Sequence, residues 1–265
     1  MSRIFTFGCS FTEYRWPTWA DIILYGNDGY NCGVTGGGFD SILYRLMEAD
    51  RKFKLTSDDK VIIVFTTPLR WDIIVDCVWS THGQVINSPY AKYENKLYSL
   101  EGLIFKSFYN IKLIDDFLKN KKINYVFGSV NDLYTDLGNY FEKIDIIEET
   151  NELINYVKNN VEIKLLDFSK YTKSYETGWL PTKKYIDDNT EYHPRPITHY
   201  NWVNDILLKQ MDIDIKITKE QILEIELHID SIEYVNQSLQ IKNIFPDFFK
   251  NRLSNCIYIE NFHLN

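Results

Sequence analysis

Apolar residues along this chain recur in two rhythms. Short runs dominated by apolar residues, at Ile4–Phe7, Val61–Phe65, Ile123–Phe127 and Ile163–Phe168, have the length and composition of buried strands. Between them the spacing becomes helical. Trp19–Leu24 reads as a short helix, and Asp40–Phe53 places Ile42, Leu43, Leu46 and Met47 on one face. Leu100–Lys121 is the strongest amphipathic segment, with Ile104, Phe108, Ile111, Ile114, Phe117 and Leu118 in register. Ile146–Asn159 and Thr198–Met211 are further predicted helices, and residues 30–38 form a short strand running into Gly36-Gly37-Gly38. Strands alternating with helices imply the α/β class, here a three-layer α/β/α arrangement around a central, mostly parallel sheet. Ligands of such sheets bind beyond the carboxyl ends of the strands. Ser10, Gly36, Thr66 and Gly128 all follow predicted strand ends, so they fall on one edge.

Two stretches break the alternation. Residues 72–97 are rich in Tyr, Asn and Ser and are predicted to be irregular, an insertion or a lid. Beyond about residue 213 the pattern changes, dividing the chain into a sheet domain over 1–212 and a helical or mixed C-terminal extension over 213–265. Thr218 with Gln221 three residues on has the form of a capping box. Ile222, Ile225, Ile229 and Ile232 follow at spacings of three and four. They fit a helix packed on its own domain, or a self-association seam over 218–235 that would make a homo-oligomer.

Composition narrows the partners. The chain has 265 residues, a formal charge of −8 and 45% hydrophobic residues, which suits a large globular core and argues against an extended nucleic-acid surface. The opening residues are too poor in apolar side chains for a signal peptide, and no run reaches the roughly 20 apolar residues of a membrane helix. A cytoplasmic protein with no membrane partner is expected, released by lysis or carried on a virion if it acts outside. Cys9, Cys32, Cys77 and Cys256 lack the paired spacing of a zinc or redox site, so no metal and no cofactor are expected.

The chemistry concentrates at two places. Ser10 follows Gly8-Cys9 at the end of the first strand, where a hydroxyl can be exposed as a nucleophile. Far along the chain, Glu191-Tyr192-His193-Pro194 precedes the last helix of the sheet domain. A carboxylate near the imidazole can fix its tautomer, leaving the other ring nitrogen to take the serine proton. Asp188 is a rival to Glu191 for the carboxylate. The side chain of Cys9 is expected to pack, and His199 to cap or pack, rather than to react. Asp115-Asp116 and Glu148-Glu149 read as solvated helix faces. Gly36-Gly37-Gly38 before a helix could receive a phosphate, but no Gly-Lys-Ser/Thr follows.

Taken together, Gly8-Cys9-Ser10, Asn31-Cys32-Gly33-Val34-Thr35-Gly36 and Glu191-Tyr192-His193-Pro194 resemble the sequence blocks of the SGNH, or GDSL, hydrolases, in the same order and over roughly residues 3–211. Trp16-Pro17-Thr18-Trp19 and Thr66-Thr67-Pro68-Leu69-Arg70 are similar to a divergent, phage-associated subgroup. The resemblance implies a flavodoxin-like fold and a role for each matched residue. Ser10 would attack the ester, His193 would be general base and then general acid, and Glu191 would orient it. The N–H groups of Ser10 and Gly36 would form the oxyanion hole.

Three departures stand out. Cys9 replaces the Asp of the first block, Glu191 stands for the usual Asp, and Pro68 occupies the position of the third-block Asn that normally completes the oxyanion hole. Proline offers neither an N–H nor a side-chain donor. Thr66, Thr67, Arg70 and Asn131 are the polar residues placed to substitute. The reading that follows is a serine esterase acting on an O-acetyl or short acyl ester, on a small molecule or a glycan. Phe11, Tyr14, Trp16, Trp71 and Trp79 fit sugar stacking or a core. The alternatives are a non-catalytic glycan-binding or structural protein on the same scaffold, and an O-acyltransferase.

Overall fold

The computed structural model describes residues 2–68, 70–75, 78–84, 99–130, 132–134, 146–165, 193–207, 211–232 and 237–253. In chain order the elements begin with β1 (Ile4–Gly8), α1 (Trp19–Leu24), β2 (Gly29–Asn31), α2 (Phe39–Phe53) and β3 (Lys60–Phe65). They continue with β4 (Arg70–Val75), β5 (Val78–Gln84), α3 (Leu100–Asn120), β6 (Asn124–Ser129), α4 (Glu148–Asn160) and β7 (Ile163–Leu165). The last are α5 (Pro196–Trp202), α6 (Lys219–Ser231) and α7 (Gln237–Ile244).

Five of these strands form one parallel sheet in the order β2-β1-β3-β6-β7. Its central strands are apolar on both sides because both faces are covered. Phe5, Phe7, Val61, Ile63, Phe65 and Phe127 pack on one face against Ile42 and Leu46 of α2, Ile104 and Ile111 of α3 and Ile154 of α4. Ile4, Ile62, Val64 and Val126 pack on the other against Trp19 and Ile23 of α1 and Trp202 of α5. The period-two alternation of the strands thus feeds two cores, giving the three-layer α/β/α arrangement.

The strand ends line up as expected. Gly8 of β1 is level with Val64 of β3, and Phe65 with Ser129 of β6, so the chain leaves all three strands on one edge.

The structure departs from the sequence reading in several places. Within the stretch expected to be irregular, β4 and β5 pair as an antiparallel hairpin outside the main sheet. The closing helix does not run evenly from Thr198 to Met211: α5 ends at Trp202 and Val203–Leu207 is a π-helical turn. Asp115, expected on a solvated face, is 1% exposed and bonds to Lys119 Nζ and to the Tyr125 hydroxyl, which turns a helix-surface carboxylate into a link between α3 and β6. Of the strand expected at Ile163–Phe168, Ile163–Leu165 is described, and the strand expected at Cys256–Ile259 lies outside the described residues.

The capping box at Thr218 and Gln221 is present, with both reciprocal bonds. Ile222, Ile225 and Ile229 turn inward, sharing a third core with Trp16 and Ile22 near α1, Ile241 of α7 and Phe248. These isoleucines are therefore engaged within the chain, while Leu223 and Leu227 occupy the outer side of α6. Among the described residues no helix is long and apolar enough to cross a membrane.

Candidate active site

The turn that carries Ser10 is set by a glycine. Gly8 ends β1 at φ +155, and a Cβ there would lie 2.1 Å from Thr12 Oγ1 and 2.7 Å from the Val64 carbonyl. A side chain is excluded by both the backbone angle and the space. Past Gly8 the chain coils, with the N–H groups of Thr12 and Glu13 both donating to the Cys9 carbonyl (2.8 and 3.1 Å). Cys9 is fully buried among apolar residues near Trp19 and Val64, as expected of a packing cysteine. Ser10 is 4% exposed, and its hydroxyl and N–H make no hydrogen bond among the described residues.

The second segment is laced directly onto this turn. Beyond β2 the pairing continues, with Cys32 N–H donating to the Thr6 carbonyl (2.8 Å) and Val34 N–H to the Gly8 carbonyl (3.0 Å). Asn31 accepts from Gly33 N–H through Oδ1 (3.0 Å) and donates through Nδ2 to the Thr12 carbonyl (2.9 Å) and to Asp21 Oδ1 (3.1 Å). One amide side chain thereby shapes the glycine loop and pins the serine turn. The chain then reverses at Gly36, φ +81, with Gly37 N–H closing on the Val34 carbonyl (3.1 Å). The Gly36 N–H is engaged in no hydrogen bond among the described residues. The hydrogen bond from Val34 to Gly8 sets the loop carrying this donor alongside the turn carrying the Ser10 donor.

The hairpin strand β4 holds the loop from the far side. Asp72, 4% exposed, accepts from Gly38 N–H at 2.9 and 3.0 Å and from Ser41 N–H at 2.9 Å, capping α2. Burial pushes its carboxyl up to about 6, against the pull of those two N–H groups. Arg70 donates from Nη1 to the Gly37 carbonyl (3.2 Å). The helix N-terminus considered for a phosphate is therefore filled by the chain's own carboxylate. Asp72 was missed in the sequence because it stands in the stretch read as irregular.

His193 lies over the aromatic residues that follow Ser10. Its ring is stacked on Tyr14, with centroids 3.9 Å apart and planes at 17°, and is 5.4 Å from the ring of Phe11, the residue after Ser10. The next residue, Pro194, accepts through its carbonyl from Trp16 Nε1 (2.9 Å). Phe11 and Trp16 are buried, so they belong to the core and the histidine support rather than to an open stacking surface. His199 is buried and its pKa is pushed down to about 3, first by burial and then by the neighbouring charge of His193, which leaves it neutral. Cys32 is held as a thiol, its pKa raised to about 12 by burial.

Thr66 is fully buried and Thr67 3% exposed just beyond β3, and the Thr66 hydroxyl makes no hydrogen bond among the described residues. Glu191, Asp188 and Asn131, and the side chains of Trp71 and Trp79, lie outside the described residues. No group of three or more His, Cys, Asp or Glu side chains capable of holding a metal ion occurs among the described residues.

No family model and no curated protein matches this chain. Among solved structures it is similar to a GDSL-like lipase from Bacteroides thetaiotaomicron VPI-5482, at 15% identity over 79% of this chain and 89% of that one, with a TM-score of 0.39. It is similar also to a member of the lipolytic protein G-D-S-L family from Veillonella parvula DSM 2008, at 13% identity over 79% of this chain and 100% of that one, with a TM-score of 0.40.

Proposed function

We propose that the protein is a serine esterase that cleaves a carboxylic ester through an acyl-serine intermediate. The observation that carries this reading is the meeting of His193 with the Ser10 turn: the imidazole rests on Phe11 and Tyr14, while the hydroxyl of Ser10 and the N–H groups of Ser10 and Gly36 have no other engagement among the described residues. In this mechanism Ser10 Oγ attacks the carbonyl carbon and its proton passes to His193. The carbonyl oxygen becomes an oxyanion received by the N–H groups of Ser10 and Gly36. A single such donor is typically worth about 3 kcal/mol of barrier. His193 then protonates the leaving alcohol. Water repeats the sequence on the acyl-serine, releasing the acid and restoring Ser10.

Glu191 is the group proposed to orient His193, with Asp188 as its rival. Thr66, Thr67, Arg70 and Asn131 are the candidates for the donor that Pro68 cannot supply. Thr66 is favoured among them by its buried hydroxyl, which is without a partner among the described residues. The substrate class proposed is an O-acetyl or short acyl ester, including one on a carbohydrate, and the reaction is placed in the cytoplasm. Substitution of the usual Asn by Pro68 favours a second reading, a glycan-binding protein on the same scaffold.

Fluorophosphonate labelling separates the two readings without knowledge of the substrate. Labelling at Ser10, lost in Ser10→Ala and strongly slowed in His193→Ala, together with p-nitrophenyl acetate turnover lost in both, is the result expected of the esterase. Absence of labelling and of turnover by the intact protein would overturn it.

A further inference from the structure

We propose that the chain beyond residue 213 is a clamp that positions His193, with Arg252 and Glu226 as its two jaws. The proposal rests on the reading of His193 as the base.

Arg252 reaches the site from the far end of the chain. Its guanidinium is buried and paired with Asp21, through Nε to Oδ1 (2.8 Å) and Nη2 to Oδ2 (2.5 Å). The same guanidinium donates from Nη1 to the Tyr14 carbonyl (2.5 Å) and from Nη2 to the Trp16 carbonyl (3.1 Å). These are the two residues that hold the histidine segment: Tyr14 stacks on His193, and Trp16 Nε1 bonds to the Pro194 carbonyl. Five donors in a rigid fork allow one side chain to take a carboxylate and two carbonyls together, which an ammonium cannot do in the same geometry. Asp21 in turn accepts from Thr18 N–H (2.8 Å) and from Asn31 Nδ2 (3.1 Å), so the grip extends to the residue that shapes the glycine loop.

Glu226 of α6 acts from the other side. Its Oε2 accepts from Arg195 Nε (2.8 Å) and its Oε1 from Ile197 N–H (2.8 Å). Asp230, one turn on, accepts from Arg195 Nη2 (2.6 Å). Arg195 lies two residues after His193, and its guanidinium also sits 5.5 Å from the Trp16 ring centre. The segment after His193 is thus fastened to α6, and the surface beneath the imidazole is fastened to Arg252. Neither residue touches the reacting atoms in this arrangement. Each is a positioning residue.

The test uses the full chain with Glu226→Gln and Arg252→Lys. Small misplacements of reacting groups cost about 10- to 100-fold in rate. Each variant is expected to lower kcat on p-nitrophenyl acetate and the rate of fluorophosphonate labelling together, by about 10-fold, with KM changed less than about 2-fold. The His193 resonance, identified by its loss in His193→Ala, is expected to move away from the shielded position given by the stacked Tyr14 ring. Folded variants with kcat, labelling rate and His193 resonance at wild-type values would overturn the proposal. Should Arg252→Lys fail to fold, Glu226→Gln, in which Arg195 keeps Asp230, still decides. The resonance measurement needs no turnover, so an inert wild type would sink the esterase reading while the clamp stands or falls on the spectrum.

Discussion

Tyr14 lies face to face with His193 at 3.9 Å, so the candidate base rests on an aromatic surface. An aromatic face also favours the charged imidazolium that forms when the base accepts a proton. Such pairs are worth about 0.5–1.5 kcal/mol beyond their buried area. Tyr14→Leu is therefore expected to lower kcat by about 3- to 10-fold with little change in KM, whereas Tyr14→Phe keeps the face and stays near wild type. Steady-state kinetics of the two variants check this. Equal rates for Leu and Phe would remove the stacked ring from the account.

Gly8 cannot carry a side chain. Its φ of +155 and the 2.1 Å and 2.7 Å approaches of Thr12 Oγ1 and the Val64 carbonyl leave no room for a Cβ. Gly8→Ala is expected to cost on the order of 1–3 kcal/mol or more of stability and to abolish the proposed esterase activity, since the turn bearing Ser10 must shift. Urea unfolding read beside activity tests both parts. A variant of unchanged midpoint would show that the turn adjusts freely.

Asp72 gives the stability curve a sign that can be worked out. Its folded carboxyl sits at about 6 against an ordinary 3.8, so between those values the folded state holds a proton that the unfolded chain has released. The contribution of this group is fully present at low pH, falls as pH rises through about 4 to about 6, and is level above. The displacement corresponds to on the order of 3 kcal/mol. The stability difference between wild type and Asp72→Asn is therefore expected to fall as pH rises from about 4 to about 6 and to be level above. A difference that stays constant from pH 4 to pH 7 would mean that Asp72 ionises at its ordinary value.

The inward turn of the isoleucines in α6 makes a prediction about self-association. Ile225 is fully buried against the α1 side of the molecule. Ile225→Ala should lower stability by about 2–5 kcal/mol while leaving the sedimentation mass unchanged. A fall in mass at unaltered unfolding midpoint would place Ile225 in an intermolecular seam instead.

The parts of the molecule legible in the sequence are those in which side-chain period and burial agree. Ile4–Phe7 and Val61–Phe65 are apolar at every or nearly every position because both sheet faces are covered, and Leu100–Lys121 keeps one face of a helix apolar over many turns. The hairpin escaped because its two strands, Arg70–Val75 and Val78–Gln84, are separated by Asp76-Cys77, which lacks the glycine or asparagine that usually announces such a turn. At the candidate site, the proposed residues Ser10, Gly36 and His193 could be picked out by chemistry and by position along the chain. Their supports could not. Asp72, Tyr14, Glu226 and Arg252 act through contacts between distant parts of the chain, and nothing in the local pattern around Arg252 distinguishes it from a solvated arginine.

The segment carrying Arg252 also has a consequence for colloidal behaviour. Asn31 N–H donates to the Asn251 carbonyl and the Asn31 carbonyl accepts from Leu253 N–H (both 2.8 Å), forming a parallel bridge along the outer side of β2. An uncovered strand border offers a template on which other molecules can add. These last described residues occupy that border, so the same few positions that brace the imidazole also keep one rim of the sheet from recruiting a neighbour.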